Sequence, residues 1–427
     1  MPSEQWFIKI LDKKKKLLEQ GRKTRWLPEF MLKRYENWVN GLEWDWNISR
    51  DRHFGIPIPV WECQECNKII LAEEKELPVD PSRVKKMCCG GEAKPEIKVF
   101  DTWQTSSITP EIAIQLVNGK IKQPYSVRCN AHDIIRTWDF YTIVKSWLHQ
   151  KTIPWDNMMV SGFVTLKGEK MSKSKGNVIA PQDITSNHGA DSLRYWAASS
   201  KLGEDSDFQE KEVVTGKKFV TKIWNASKFI FQSLKQVKKV KLEEIDRIFL
   251  TRLNRVIEKA TLGFENYEYS KAKDEAVNFF WHDFCDNYLE IVKNRIYSGN
   301  KKESAEYVLY HSLLTILKLM APITPFITEE LYLKYYKEKE KSIHISSWPK
   351  KFKVNSNKKD EEIWDKFIEI LGKVRYAKSK AQKSMKSEII LTIEKDKHKQ
   401  LISLLEDLKA VSCAREIKSG EFKVEFV

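Results

Sequence analysis

The chain has 427 residues, too many for one small domain, and 41% of them are hydrophobic, which excludes a disordered polypeptide. Its formal net charge of +15 favours a polyanionic partner, nucleic acid first, or else reflects solvated Lys-rich helix faces; composition alone leaves both readings open. No apolar run reaches the roughly 18–20 residues of a membrane span, and the N-terminal MPSEQWFIKILDKKKK lacks the apolar centre of a signal peptide. A cytoplasmic protein without a membrane partner is expected.

In chain order, residues 1–45 read as helical, with Leu27, Met31, Tyr35, Trp38 and Leu42 at spacings of three to four. Residues 46–61 are extended and proline-punctuated, and residues 63–98 form a small insertion bearing cysteines. Residues 99–210 mix apolar runs (MMVSGFVTL) with helical stretches (HDIIRTWDFYTIVKSWLH), the pattern of an α/β unit. Long amphipathic segments then dominate 211–350 and predict a helical bundle. Lys351–Asp360 is polar and reads as a linker. Residues 361–427 read as a small α+β unit with strands at EIILTIE and FKVEFV.

The sharpest local feature is GEKMSKSKGN, Gly168–Asn177. Lysines and serines on a glycine-bounded loop after an apolar strand can close over a polyphosphate, with Lys170 and Lys173 supplying ammonium donors. The cysteines divide into a cluster, Cys63, Cys66, Cys88 and Cys89, and the scattered Cys129, Cys285 and Cys413, which fits a reduced compartment with one metal site. Cys63-Gln-Glu-Cys66 is half of a zinc knuckle. Cys88-Cys89 is not a Cys-x-x-Cys, and adjacent cysteines point in different directions. A structural Zn2+ on the four thiols and a ribbon that folds without metal both remain open. Cys285, in WHDFCDNYLEIV, reads as buried packing. The acid-free run Arg375, Lys378, Lys380, Lys383 and Lys386 is either a contact to a nucleic-acid backbone or a solvated face.

The run KMSKSKGN resembles the signature loop of the class I aminoacyl-tRNA synthetases. The resemblance implies that Lys170 and Lys173 are catalytic, stabilising charge on ATP as an amino-acid carboxylate attacks the α-phosphorus. It assigns Lys170, Met171, Ser172, Lys173 and Ser174 to ATP binding, with Mg2+ accompanying the ATP. GADSLRYWAASSKLGEDSDF (189–208) is similar to the segment that supports this loop. WDWNISRDRHFGIPIPVW (44–61), FDTWQTSSITPEI (100–112) and AHDIIRTWDFY (131–141) are similar to the valyl branch of the archaeal/eukaryotic type. That implies a valine pocket walled by Trp103, Ile134 and Trp138, with Asp133 on the α-amino group. The i, i+4 spacing of Ile134 and Trp138 lets both face one pocket from one helix. One departure stands out: VRCNAHD occupies the place where Arg-Pro-Gln is expected before Ala-His-Asp, so Cys129 and Asn130 differ from the pattern.

The resemblance also names the parts. Residues 1–62 would begin the C-terminal half of the catalytic domain, and 63–98 would be a zinc-ribbon-like insertion. Residues 99–210 would be the second half of a Rossmann-type nucleotide-binding domain, 211–350 a helical anticodon-binding domain, and 361–427 the small α+β domain. WNASKFI, FCDNYLEIVKNRIY and LMAPITPFITEELY are similar to that anticodon-binding bundle. No His-Ile-Gly-His motif is present; His53-Phe-Gly-Ile-Pro57 is not one. A second polypeptide carrying that motif and the editing domain is therefore an expected partner, beside tRNA(Val), valine and ATP, and this chain alone is expected to be inactive. An isoleucyl-type ligase fragment and a non-catalytic tRNA-binding module are the competing readings.

Overall fold

The computed structural model describes residues 4–234, 237, 238, 240–336, 341–357 and 359–427. Ser3, which opens the phrase Ser-Glu-Gln-Trp, and Lys358 of the linker lie outside these residues. Two compact units are present: Met1–Val164 with Leu202–Ser206, and Thr165–Lys201 with Asp207–Val427.

The first unit is built on a parallel sheet in which Trp155–Ser161 is central, flanked by Tyr125–Ala131 on one side and Arg25–Leu27 on the other. Helix Phe140–Gln150 lies in the crossover between the first two of these strands, the βαβ arrangement that parallel pairing requires. Helices Lys14–Lys23 and Met31–Asn40 bury Leu17, Met31, Tyr35 and Val39 in the same core as Trp155, Met158 and Val160. Gly21 is required there, because a Cβ would sit 2.1 Å from the Tyr35 ring. The helical reading of residues 1–45 needs correction at Arg25–Leu27, which is a strand. Trp26 and Leu27 are both buried, so this strand has no polar alternation to distinguish it from the helix that follows. The cysteine insertion forms short antiparallel pairings, Val60–Glu62 with Ile69–Leu71 and with Lys94–Pro95, and the hairpin Met87–Cys88 with Gly91–Glu92.

The second unit is mainly helical. Helices Glu210–Ser233, Glu244–Glu265, Tyr269–Asn278, Leu289–Ser298, Lys302–Met320 and Pro325–Tyr335 share one core, joined by a π-helical stretch at Phe279–Tyr288. Phe249 stacks on Tyr288 at 3.9 Å inside it. Cys285 is buried there, as expected of packing. The tail docks on this bundle. Arg247 forms a two-pronged ion pair with buried Asp360, the first residue of helix Asp360–Lys380. Strand Ile389–Ile393 runs parallel to Ala414–Ser419 and antiparallel to Lys423–Phe426; the polar AREIKS strand is one more than the sequence reading found.

The basic run is not one solvated face. Lys378 is 1% exposed, and its ammonium donates to the carbonyls of Met385, Ser387 and Ser412 at 2.7–2.8 Å. Arg375 donates to Asn287 Oδ1 and to the Asp286 carbonyl. Arg375 thus ties the tail to the bundle and Lys378 holds the tail's own segments together, while Lys380, Lys383 and Lys386 are exposed. Among the described residues no helix is long and apolar enough to cross a membrane.

Candidate active site

The lysine loop grows out of a hairpin. Thr165 and Leu166 pair with Lys170 and Glu169 across Lys167 and Gly168. Both turn residues have left-handed φ (+54° and +79°), as a tight two-residue hairpin demands. Asp207 anchors its base, accepting from the Gly168 amide at 2.9 Å and the Thr165 hydroxyl at 2.8 Å, and these bonds hold its carboxyl below the usual range. Beyond Lys170 the chain is extended at Ser172, makes a 3-10 turn over Lys173–Lys175, and reverses at Gly176, φ +67°. Asn177 closes the loop: its Oδ1 accepts from the Ser172 amide at 2.8 Å and its Nδ2 donates to the Lys170 carbonyl at 3.3 Å. Ser172 and Ser174 hydroxyls meet at 2.6 Å, and Lys175 pairs with Glu169 at 3.3 Å. Lys170, Lys173 and Ser174 are exposed, and Met171 and Ser172 half-buried. The sequence reading held Asn177 within the loop and Asp207 within the segment that supports it, but gave neither a role. An Asn after a Gly reads as turn chemistry, and nothing local marks Asp207.

In the first unit, Trp138 is buried and donates its Nε1–H to the Ser106 carbonyl at 3.1 Å. Its ring stacks on Trp155, and the Arg128 guanidinium lies 4.0 Å from its centroid. Trp103 and Ile134 are half-buried and pack against the same core. Asp101 accepts from the Trp103 amide and caps helix Thr102–Ser106, and it also pairs with Arg50 at 3.1 Å. Asp133 is exposed, on the 3-10 turn His132–Ile134. The structure thus gathers Trp103, Ile134 and Trp138 on one core, with Asp133 at its rim. One geometric expectation is overturned. Ile134 and Trp138 do not share an α-helical face, because Ile134 ends the 3-10 turn and Ile135–Asp139 is a π-turn. A residue period of 3.6 read from sequence cannot register that extra residue.

The cysteine cluster converges. Cys63, Cys66, Cys88 and Cys89 place their sulfurs within 4.8 Å of one another. Cys66 lies 3.9 Å from Cys88 and 3.3 Å from Cys89, and Cys88 lies 3.7 Å from Cys89. Adjacent cysteines reach one point because Cys89 takes a left-handed φ of +50° and Gly90 follows at +83°. Amide hydrogen bonds from Cys66 and Glu65 pull the Cys63 thiol down to about 7. Hydrogen bonding first from Cys66, then from Cys88, pushes Cys89 up to about 12.

Residues 1–209 match the family of class I tRNA synthetases (I, L, M and V), and residues 246–394 match the anticodon-binding domain of tRNA ligases. The valine–tRNA ligase of Ehrlichia ruminantium (strain Gardel) is 44% identical over 97% of this chain and 53% of its own length. That of Wolbachia pipientis wMel is 42% identical over 100% and 52%, and that of Picrophilus torridus 39% over 97% and 55%. The chain spans about half the length of the curated relatives it matches. None of these matches speaks for the separate second polypeptide expected from the sequence. Among solved structures, a leucyl-tRNA synthetase of Agrobacterium radiobacter K84, in a ternary complex with tRNA and LeuAMS, superposes with TM-score 0.59. It is 19% identical, over 90% of this chain and 51% of that one. Mycobacterium tuberculosis methionyl-tRNA synthetase with methionyl-adenylate gives 0.59 at 15% identity, over 77% and 62%. At those identities they speak for the fold.

Proposed function

We propose, from the premise that this chain belongs to the class I tRNA synthetases of the I, L, M and V group, that it carries the lysine loop, the amino-acid pocket wall and the anticodon-binding helices of a valine–tRNA ligase. Valine's carboxylate attacks the α-phosphorus of ATP, pyrophosphate leaves with Mg2+, and valyl-adenylate forms. A terminal hydroxyl of tRNA(Val) then attacks the acyl carbonyl and releases AMP. Lys170 and Lys173 offset the charge that develops on the phosphates, and Met171, Ser172 and Ser174 complete the loop that meets ATP. Trp103, Ile134 and Trp138 line an apolar wall for a small branched side chain, and Asp133 takes the ammonium. A cytoplasmic location goes with tRNA charging.

The observation that carries this reading is the loop itself: two exposed lysines on a segment clasped by Asn177, in a chain 39–44% identical to valine ligases along nearly its whole length. The test is amino-acid-dependent ATP–pyrophosphate exchange by the native enzyme, isolated through a tag on this chain with whatever copurifies. Valine should support exchange far better than isoleucine. Preference for isoleucine, or tRNA binding with no exchange for any amino acid, overturns it.

A structural Zn2+ on Cys63, Cys66, Cys88 and Cys89 accompanies this proposal. Tetrahedral Zn–S bonds of about 2.3 Å put sulfurs about 3.8 Å apart, and the spacings of 3.3–3.9 Å found here fit. Bound there, the ion would crosslink the two ends of the insertion. Metal analysis should return about one zinc per chain, lost in Cys63→Ser; a correctly folded, zinc-free chain refutes it.

A further inference from the structure

Asn130 and Asp139 carry none of the roles given above. Asn130 stands near the end of strand Tyr125–Ala131, and Asp139 is the last residue of the π-turn that bears Trp138. Asp139 has no exposed surface. Asn130 Nδ2 donates to Asp139 Oδ2 at 2.9 Å and to the Ala131 carbonyl at 3.0 Å. Each side chain then keeps one buried oxygen without a partner among the described residues, Asp139 Oδ1 and Asn130 Oδ1. Two acceptor oxygens cannot satisfy each other. A proton on the carboxyl makes Oδ1 a donor, and a carboxylic acid and a primary amide are then complementary, each offering one donor and one acceptor.

The surroundings favour that proton. No cation among the described residues forms an ion pair with Asp139. Arg128, on the same strand as Asn130, instead spreads its guanidinium over the Trp138 ring. Burial pushes the Asp139 carboxyl up to about 8; the Asn130 bond and the Arg128 charge pull the other way, and Asp133, on the preceding turn, adds to the rise. A π-turn holds one more residue than an α-turn and recurs at functional sites, where something must hold it in place.

We propose that Asn130 and Asp139 are positioning residues for the amino-acid pocket: a protonated Asp139, paired with the Asn130 amide, ties the strand end to the π-turn and fixes Trp138 and Ile134 in the pocket wall. The inference rests on the pocket reading given above.

The native enzyme tests it through KM and kcat for valine in pyrophosphate exchange between pH 6.5 and 9. The wild type should lose valine affinity as pH rises through about 8, with kcat at saturating valine little changed. Asp139→Asn is neutral at every pH. It should keep KM near the wild-type value at pH 7 and lose the alkaline rise. Asp139→Ala and Asn130→Ala should raise KM on the order of tenfold, since small misplacements in a pocket are costly. An alkaline rise that survives Asp139→Asn, or an unchanged KM in Asn130→Ala, overturns the clamp. Melting without substrate gives a second, separate reading. A carboxyl whose folded pKa is raised lowers stability as pH climbs from its unfolded value near 4 to about 8. Wild type should therefore lose melting temperature relative to Asp139→Asn across that range, and parallel curves refute a protonated Asp139. Absence of exchange with any amino acid would sink the valine reading, while the melting curves would still judge the pair.

Discussion

Removing the carboxylate of Asp246 should be the most damaging single change in the helical unit. Asp246 lies in the first turn of helix Glu244–Glu265 with no exposed surface. It accepts two hydrogen bonds from Arg295 at 2.6 and 2.9 Å, one from the Tyr288 hydroxyl at 2.6 Å and one from the Ser304 hydroxyl. Ser304 Oγ in turn accepts from the Glu243 amide at 3.0 Å. Asp246→Ala leaves a guanidinium 8% exposed, with Asp407 at 3.4 Å from its Nε as the remaining counter-ion. Breaking a buried ion pair from one side costs about 3–5 kcal/mol, because the remaining charge stays desolvated. At roughly 2–4 °C per kcal/mol for a unit of about 250 residues, its melting should fall by about 6–20 °C in calorimetry. Asp246→Leu combined with Arg295→Met should recover much of that loss, since apolar replacement of a buried pair is often neutral. A fall below about 2 °C in Asp246→Ala, or a double variant as unstable as the single, would refute the reasoning.

The remaining predictions concern the loop, the tail and pH. Lys170→Ala and Lys173→Ala in the native enzyme should each cut valine-dependent exchange about 10²–10³-fold with folding unchanged, whereas Lys175→Ala, which removes an exposed pair with Glu169, should change it only a few-fold; equal losses for all three would deny the first two their role at the phosphates. In the tail, Lys378→Met leaves three carbonyls short of a donor and should lower unfolding stability by about 3 kcal/mol without altering the salt dependence of tRNA binding. Reversal of exposed Lys380, Lys383 and Lys386 to Glu should flatten that dependence by about one unit of slope for each phosphate no longer neutralised; an unchanged slope removes the tail from the tRNA interface. Burial raises the Asp407 carboxyl to about 6, against the pull of Arg295. The fold therefore favours its protonated form, and wild-type stability should decline as pH climbs from near 4 through 6. Asp407→Asn should abolish that decline in urea midpoints, and identical slopes would count against it.

How far the site was legible depended on how local its parts are. The lysine loop is a continuous run, so residue types alone pointed at phosphates; Asn177 was read as its last residue, but its bonds to Ser172 and Lys170 were not foreseen. The residues proposed for the pocket could be named from family phrases, but their geometry could not, because a 3-10 turn passing into a π-turn carries no mark in apolar spacing. Arg25–Leu27 failed for the opposite reason: its neighbours Met31, Tyr35 and Val39 have strong helical spacing, and a strand covered on both faces alternates nothing. The basic run misled because helix position says nothing about the Met385, Ser387 and Ser412 carbonyls that bury Lys378. Adjacency at Cys88-Cys89 argued against convergence until the left-handed φ of Cys89 resolved it.

Asn130–Asp139 and Asp246–Arg295 are nine and 49 residues apart in sequence, and no periodicity predicts either. They differ in how each disposes of its charge. Asp246 lies against a guanidinium and is surrounded by donors, so it is bound as the anion. Asp139 faces an amide and an arginine committed to an indole ring, so the cheaper state carries a proton. A buried acid takes whichever form its donors and acceptors complete. The form it takes sets what substitution it tolerates: Asn serves at 139, where the site asks for a neutral group with one donor and one acceptor, and fails at 246, where four donors ask for a charge. Exchanging the two outcomes, a benign Asp246→Asn and a damaging Asp139→Asn, would invert this assignment at both sites.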